Sequence, residues 1–340
     1  MRKYLLIEKK ENISSFLLKN SLYFVSNKKI YSNVNNNFVN INSNNIYSVE
    51  NLILSDTEKV YDFNLENYQI FINDDFQYRR RYYKNIVTFN NETNIFFYDI
   101  AKNQLVRKMN LNSFTIYGTI YCFINEYAII LGKDTTISAF DYIQEKILWQ
   151  YDLETYFHQP AQIMEGRVLV SNNKIIFFAH TEDWSNYATF ILDAQTGQVL
   201  NNPKETIFGG KMYLFDGFLW QKKDKGFAKM NPETFEITHY DLTKDLPTEI
   251  IDNRTMAYHN GIIAVSAKPE RDSIRSLVLL FDTNTGKIIW RKEILHNENK
   301  PSNNENRRQI EEIQMNDKYL AVSTTGFSLY IFEKQDVESK

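Results

Sequence analysis

The side chains best able to do chemistry in this 340-residue chain are scattered rather than clustered. His158, His180, His239, His259 and His296 build no HExxH and no pair at metal-ligand spacing, so metal chemistry has no linear signature. The single cysteine, Cys122 in TIYCFI, has no partner for a CxxC pair or an intramolecular disulfide. No GxSxG or Walker-type loop occurs. Neither a cofactor nor a catalytic residue is therefore expected, although catalytic groups drawn from distant segments would leave no motif.

What remains is recognition chemistry. In HTEDWSNY, from His180 to Tyr187, Trp184 stands among His180, Glu182 and Asp183 with no apolar strand pattern to bury it. Exposed aromatics and arginines are the usual anchors of protein interfaces. The alternative is that Trp184 folds back over its own loop. Similar polar stretches hold His158 in ETYFHQP, Arg254 in TKDLPTEIIDNR, Arg271 and Arg275 in AKPERDSIR, and Arg307 and Arg308 in HNENKPSNNENRRQ. His158, His180, Asp183, Trp184 and these five arginines form the candidate partner-binding set, against the plainer reading of solvated loop charges. QYRRRYYK, Gln77 to Lys84, could stack bases and pair phosphates. Strand alternation would split its arginines between two faces, and 39 basic against 42 acidic residues give a net charge of −3, so nucleic acid is not an expected partner.

These loops need a scaffold, and the sequence repeats one. FDTNTGKIIWRKEI at Phe281 to Ile294, LDAQTGQVL at Leu192 to Leu200, FDYIQEKILWQYDL at Phe140 to Leu153 and YDIAKNQLVRKMNL at Tyr98 to Leu111 share one plan. Each is a strand ending in an acid, a short turn, and another strand. MNPETFEITHYDL, Met230 to Leu242, is a degenerate copy. Asp141, Asp193 and Asp282 read as turn-makers that accept amide hydrogen bonds, Gly197 and Gly286 as the left-handed position, and Trp149 and Trp290 as core between units. Recurrence at roughly 40 to 50 residues in a β-type sequence points to a β-propeller.

Each unit also needs a tight turn between its first two strands. Lys19-Asn20, Glu50-Asn51, Lys84-Asn85, Asn125-Glu126, Asn172-Asn173, Asp216-Gly217, Asn260-Gly261 and Asn316-Asp317 supply candidates, most with Asn or Gly second. Eight turns imply eight four-stranded antiparallel blades; if one of the short first two units is not a blade, the ring has seven. Glu165-Gly166 competes for the fifth turn. The last unit stops one strand short, and RKYLLIEKK, residues 2–10, is a free strand that would pair with 309–334 and close the ring. Residues 1–340 then form one domain. Aromatic residues, 15% of the chain with 22 Tyr and 24 Phe, and alternation over short runs suit half-buried strands.

The strand–Asp–Thr-Gly-Lys–strand–Trp line resembles the pyrroloquinoline-quinone-type, WD-like propeller repeat. Asp282, Thr285, Gly286, Lys287 and Trp290 fit it in full, Asp193, Thr196 and Gly197 keep the turn, and Asp141 and Trp149 keep the ends. The resemblance implies the blade. It does not extend to the quinone dehydrogenases, whose cofactor site brings adjacent cysteines, nor to the outer-membrane assembly lipoproteins, which need a signal peptide and a lipidated cysteine.

MRKYLLIEKK has too short an apolar run for a signal peptide, and no stretch approaches a membrane-spanning length, so a cytoplasmic monomer is expected. The long loops would converge on one face, the usual place for recognition. The reading is a non-enzymatic protein-binding scaffold, for example one that neutralises a partner as an immunity protein does. The alternative is a propeller hydrolase or lyase whose funnel residues hold a sugar-like ligand or metal.

Overall fold

The computed structural model describes residues 3–18, 22–26, 29–32, 38–40, 46–49, 52–55, 59–62, 68–70, 81–83, 86–90, 94–99, 102, 104–110, 119–125, 128–133, 135–164, 168–205, 208, 211–271, 273–294 and 309–335. Almost all of them lie in strands or in the turns that join strands. After β1 (Lys3–Glu11), the strands β2 (Ile13–Leu18), β3 (Leu22–Ser26), β4 (Lys29–Ser32) and β5 (Phe38–Asn40) form one antiparallel sheet in chain order. The strands β6 (Ile46–Val49), β7 (Leu52–Ser55), β8 (Lys59–Asp62) and β9 (Tyr68–Ile70) form the next. The same meander recurs in β10 (Arg81–Tyr83), β11 (Ile86–Asn90), β12 (Asn94–Asp99) and β13 (Gln104–Asn110). It recurs again in β14 (Thr119–Phe123), β15 (Ala128–Lys133), β16 (Thr136–Asp141) and β17 (Lys146–Asp152).

A single helical turn, α1 (Glu154–Phe157), then leads to a modified sheet. Its first strand is broken into β18 (Ala161–Ile163) and β19 (Leu169–Ser171), both paired with β20 (Lys174–Thr181), whose other edge takes β21 (Tyr187–Asp193). Beyond β21 an edge strand is reduced to the bridge Leu192–Val199. There the Asn201 side-chain amide stands in for backbone, its Oδ1 accepting from Ile191 N at 2.9 Å and its Nδ2 donating to Thr189 O at 3.0 Å. The sheets β22 (Met212–Phe215), β23 (Phe218–Lys223), β24 (Gly226–Met230), β25 (Ile237–Asp241) and β26 (Ile250–His259), β27 (Ile262–Lys268), β28 (Leu277–Asp282), β29 (Lys287–Glu293) return to the regular order. Finally β30 (Ile310–Met315), β31 (Tyr319–Thr324) and β32 (Ser328–Gln335) take β1 as their fourth strand, antiparallel to β32 with Lys3 opposite Gln335 and Glu11 opposite Ser328.

Local sequence sets the hairpins. Asn172-Asn173, Asp216-Gly217 and Asn260-Gly261 each place two successive residues at positive φ, 46° and 61°, 51° and 75°, 46° and 78°. That is the type I′ turn whose twist matches paired strands. Between β30 and β31 the loop is three residues, and Asn316 Oδ1 caps it by accepting from Lys318 N at 2.9 Å and Tyr319 N at 2.7 Å. Lys19-Asn20, Glu50-Asn51, Lys84-Asn85, Glu126 and Glu165-Gly166 lie outside the described residues, as do residues 77–80 and 84 of QYRRRYYK.

The turns from third to fourth strand are built on acids. Asp141 Oδ1 accepts from Ile143 N and Gln144 N at 2.9 and 2.7 Å. Asp193 Oδ1 accepts from Gln195 N, Thr196 N and Thr196 Oγ1 at 3.0, 2.8 and 3.0 Å, and Asp282 Oδ1 from Asn284 N and Thr285 N at 2.9 and 3.4 Å. The left-handed residue that follows is Gly197 or Gly286, but Glu145 and Phe235 hold the same conformation at φ 55° and 63°. A β-bulge then shifts the register at Phe97/Tyr98, Ala139/Phe140 and Leu280/Phe281. Because of the extra residue, both Leu105 and Val106, and both Ile147 and Leu148, face outward.

Contacts gather the chain into two compact units, one of Met1–Ile70, Lys222–Ala228 and His239–Lys340, the other of Phe71–Gln221 and Lys229–Thr238. In each, the core sits between successive sheets. In the second unit Phe97, Phe123, Ile129, Phe140 and Tyr142 fill one such layer, with Phe97 and Tyr142 stacked at 3.9 Å. Ile130, Trp149, Phe157, Phe177, Phe190 and Leu192 fill the next. In the first unit Tyr4, Val278, Leu280, Ile310, Val322 and Phe332 form one layer and Ile13, Phe16, Leu18, Leu329 and Ile331 another. The middle strands β20 and β27 are covered on both faces. IIAVSA in β27 and IIFFAHT in β20 are buried at every position, so the expected alternation of half-buried strands fails there for want of a solvent face.

Candidate functional site

Among the described residues of the loops singled out from the sequence, the hairpin joining β20 to β21 carries the most exposed aromatic surface, in Trp184 and Tyr187. Its base is closed by Thr181, whose N–H donates to Asn186 O at 2.9 Å and whose Oγ1 accepts from Asn186 N at 3.1 Å. Asp183 Oδ1 accepts from Thr181 Oγ1 at 2.6 Å, Ser185 N at 3.0 Å and Ser185 Oγ at 2.8 Å. These bonds, led by that from Thr181, stabilise the carboxylate and lower its pKa to about 2, so Asp183 is a fixed negative charge at any physiological pH.

Trp184 follows at φ 59°, a left-handed conformation that costs a bulky residue about 1–2 kcal/mol. Its N–H donates to Thr181 O at 3.0 Å, and its indole lies parallel on the His180 imidazole, 3.5 Å between centroids at 15°. His180 is itself 4% exposed, with Nδ1 2.8 Å from Thr181 O, so it is the floor of the site and offers no group to a partner. Trp184 is 49% and Tyr187 48% exposed. Beneath them the buried Phe178 ring lies 6.5 Å from Trp184 and 5.8 Å from Tyr187. The two readings of Trp184 prove compatible: one face folds back on the loop while about half its surface stays open.

Of the other expected anchors, His158 is exposed and ends α1 at φ 57°, donating its N–H to Glu154 O at 2.9 Å. The ETYF segment is a helical turn, with Phe157 buried as its foot. Arg271 is exposed, and its carbonyl accepts from Lys268 Nζ at 3.3 Å. Arg254 lies on β26, its side chain outside the described set, and Arg307 and Arg308 lie outside the described residues. Arg275 departs from expectation. It is 5% exposed, its Nη2 donates to Gln309 Oε1 at 2.6 Å and its Nη1 lies 3.5 Å from Asp252 Oδ1. With Ile310 N also donating to its carbonyl at 2.8 Å, Arg275 ties the end of one sheet to the start of the next and is not presented to solvent.

The structural positions have definite neighbours. Trp149 Nε1 donates to Ala194 O at 2.8 Å, and the indole covers Gly197, so Trp149 of β17 closes the Asp193 turn of the next sheet. Arg107 forms the equivalent link to Glu145. Trp290 is only half-buried, between Tyr4 and Phe332, each 5.6 Å away. Sequence reasoning missed the exposed ring of Tyr187 because it reads as the first residue of an ordinary strand. Among the described residues no three His, Cys, Asp or Glu side chains are grouped to hold a metal, and no helix is long and apolar enough to cross a membrane.

No protein-family model matches the chain, and no curated protein matches it. Among solved structures it is similar to the computationally designed Ika8 protein, with a TM-score of 0.60 and 13% identity over 98% of this chain and 100% of that one. Hsv2 from Kluyvelomyces marxianus aligns at a TM-score of 0.46 and 10% identity over 76% of this chain and 72% of that one. BamB from Moraxella catarrhalis aligns at 0.42 and 10% identity over 97% and 100%. The likeness to the designed protein is one of fold alone.

Proposed function

We propose that the chain is a non-enzymatic protein-binding scaffold, a ring of eight propeller blades closed by its N-terminal strand, with the hairpin from Glu182 to Tyr187 as its principal anchor. The eight four-stranded sheets among the described residues, and the pairing of β1 with β32, support the ring. The observation that carries the function is Trp184: an indole about half exposed, in a strained backbone conformation, on a turn fixed by Thr181, Asp183 and Ser185. A rigid aromatic of this kind loses little entropy on binding, which is how a preformed surface gains affinity. His158 and Arg271 remain accessible as secondary contacts.

The test is capture by the tagged full chain from a lysate of its own source, in parallel with Trp184→Ala/Tyr187→Ala. A stoichiometric protein retained by the parent and lost by the double variant is the expected result. A partner retained equally by both, or no protein partner at all, overturns the assignment of this hairpin.

A further inference from the structure

The chemistry of the hairpin specifies more than an aromatic anchor. From His180 to Tyr187 the segment carries two carboxylates, Glu182 and Asp183, and no lysine or arginine. Every residue from Glu182 to Tyr187 is exposed. An indole lying parallel on His180 has one face occupied, and the exposure of Trp184 belongs to the other face and its edges. An aromatic face is electron-rich and attracts cations, and adjacent anionic groups strengthen that preference. We infer that this hairpin receives an arginine side chain from a basic segment of the partner protein, its guanidinium laid over the Trp184 indole with Tyr187 beside it and its charge matched by Glu182 and Asp183.

The inference rests on the protein-binding reading of this hairpin. Arginine is preferred to lysine because a planar, weakly hydrated guanidinium can stack on the ring and still direct N–H groups at carboxylates. Asp183 is a particularly dependable partner, since Thr181 and Ser185 hold its carboxylate in one orientation and in its charged form. An uncharged sugar would also stack on an exposed indole, but it would not need the two carboxylates to be ionised.

The experiment is a calorimetric titration of the full-length chain and its variants with N-acetyl-penta-arginine amide, with the Trp184 indole N–H resonance followed in parallel wherever Trp184 is kept. Penta-lysine, penta-citrulline and maltotriose serve as comparison probes. Expected are saturable shifts centred on Trp184, with penta-arginine binding more tightly than penta-lysine and no binding by penta-citrulline or maltotriose. Raising salt should weaken the interaction, because exposed charges are screened over about 10 Å at 0.1 M. Trp184→Ala should weaken it about fivefold, the scale of an exposed cation–π contact. Glu182→Gln, which touches none of the turn's bonds, should weaken it measurably with the fold unchanged. Saturable maltotriose binding, equal binding of penta-citrulline, or indifference to Glu182→Gln overturns the arginine assignment. If the lysate partner is still lost with Trp184→Ala/Tyr187→Ala while penta-arginine fails to bind, the protein-binding reading stands and only the cation is wrong.

Discussion

Trp184 was conspicuous in the sequence because a large apolar residue sat among polar ones. Its stack on His180 was not, since HTEDW gives no sign that the histidine belongs to the buried end of a strand. Replacing Trp184 by Asn, which tolerates the left-handed backbone, should remove partner binding yet change stability by less than about 1 kcal/mol, relief of strain offsetting the lost stack. Urea unfolding beside the capture assay checks both halves, and a loss of several kcal/mol would mean that the indole is core. Arg275 illustrates the opposite limit. A guanidinium in KPERDSIR looks like solvated charge, and only tertiary structure brings Gln309 and Asp252 to it. The glycines offer a controlled comparison. An alanine Cβ at Gly197 would sit 2.6 Å from the Trp149 ring at φ +72°, whereas at Gly217, φ +75°, it would meet nothing within 4 Å. Gly217→Ala should therefore cost about 1–2 kcal/mol from backbone strain alone. Gly197→Ala should cost roughly 2–4 kcal/mol once overpacking is added, read as two separate urea midpoints.

At the scale of elements, the recurrent Asp-turn and the bulged outer strand act together. The bulge directs Trp149 onto the turn of the following sheet, where one hydrogen bond to Ala194 O and the cover over Gly197 join two blades. Trp149→Phe keeps most of the ring and should cost about 1 kcal/mol for the lost bond, whereas Trp149→Ala should cost about 3–5 kcal/mol through cavity and transfer terms. Such turns are readable from sequence because an acid and a residue four positions later must accept amides and take positive φ. The broken strand β18/β19 and the Asn201 amide that replaces an edge strand are unreadable for the same reason in reverse: a side chain does the work of backbone. A second seam titrates. Glu312 on β30 has its pKa raised, chiefly by burial and further by Glu311, while the hydrogen bond from Gln314 opposes the rise. Gln314 in turn accepts from Leu18 N at 2.6 Å and donates to Phe16 O at 3.2 Å, so this carboxyl sits beside the join between β30 and β2. A carboxyl whose folded pKa exceeds its unfolded value of 4.5 favours folding most below that value and loses the contribution as pH rises through the folded pKa. Glu312→Gln should hence be more stable than the parent at neutral pH, with the advantage shrinking toward pH 4, as thermal melts across that range would show.

For the whole molecule, the decisive feature is that both ends of the chain meet in one sheet. This was legible because the last repeat lacks a fourth strand and the first residues supply one; the division of contacts into two compact units was not, since every repeat looks locally alike. Pairing along the whole of β1, from Lys3 opposite Gln335 to Glu11 opposite Ser328, covers the edge of β32, and Tyr4 packs against Trp290 of β29. Removing residues 1–11 should leave β32 as a bare edge that itself carries the buried apolar residues Leu329, Ile331 and Phe332. The expected result is association on gel filtration with a lowered melting temperature. A circular permutant separates the strand from its position. If the chain begins at Ile13 and a short turn carries Gln335 back to Lys3, every strand pair is retained and the last sheet becomes a local meander. The permutant should elute as the parent does, with an unchanged far-ultraviolet spectrum, and refold faster, because its last pairing no longer spans the sequence. It should also unfold faster, because no covalent link at Asn12 now holds β1 against β2 while β32 holds it from the other side. A truncated chain that eluted as the parent does, with an unshifted melting temperature, would show that β1 decorates the sheet, and the proposed closure through β1 would fall.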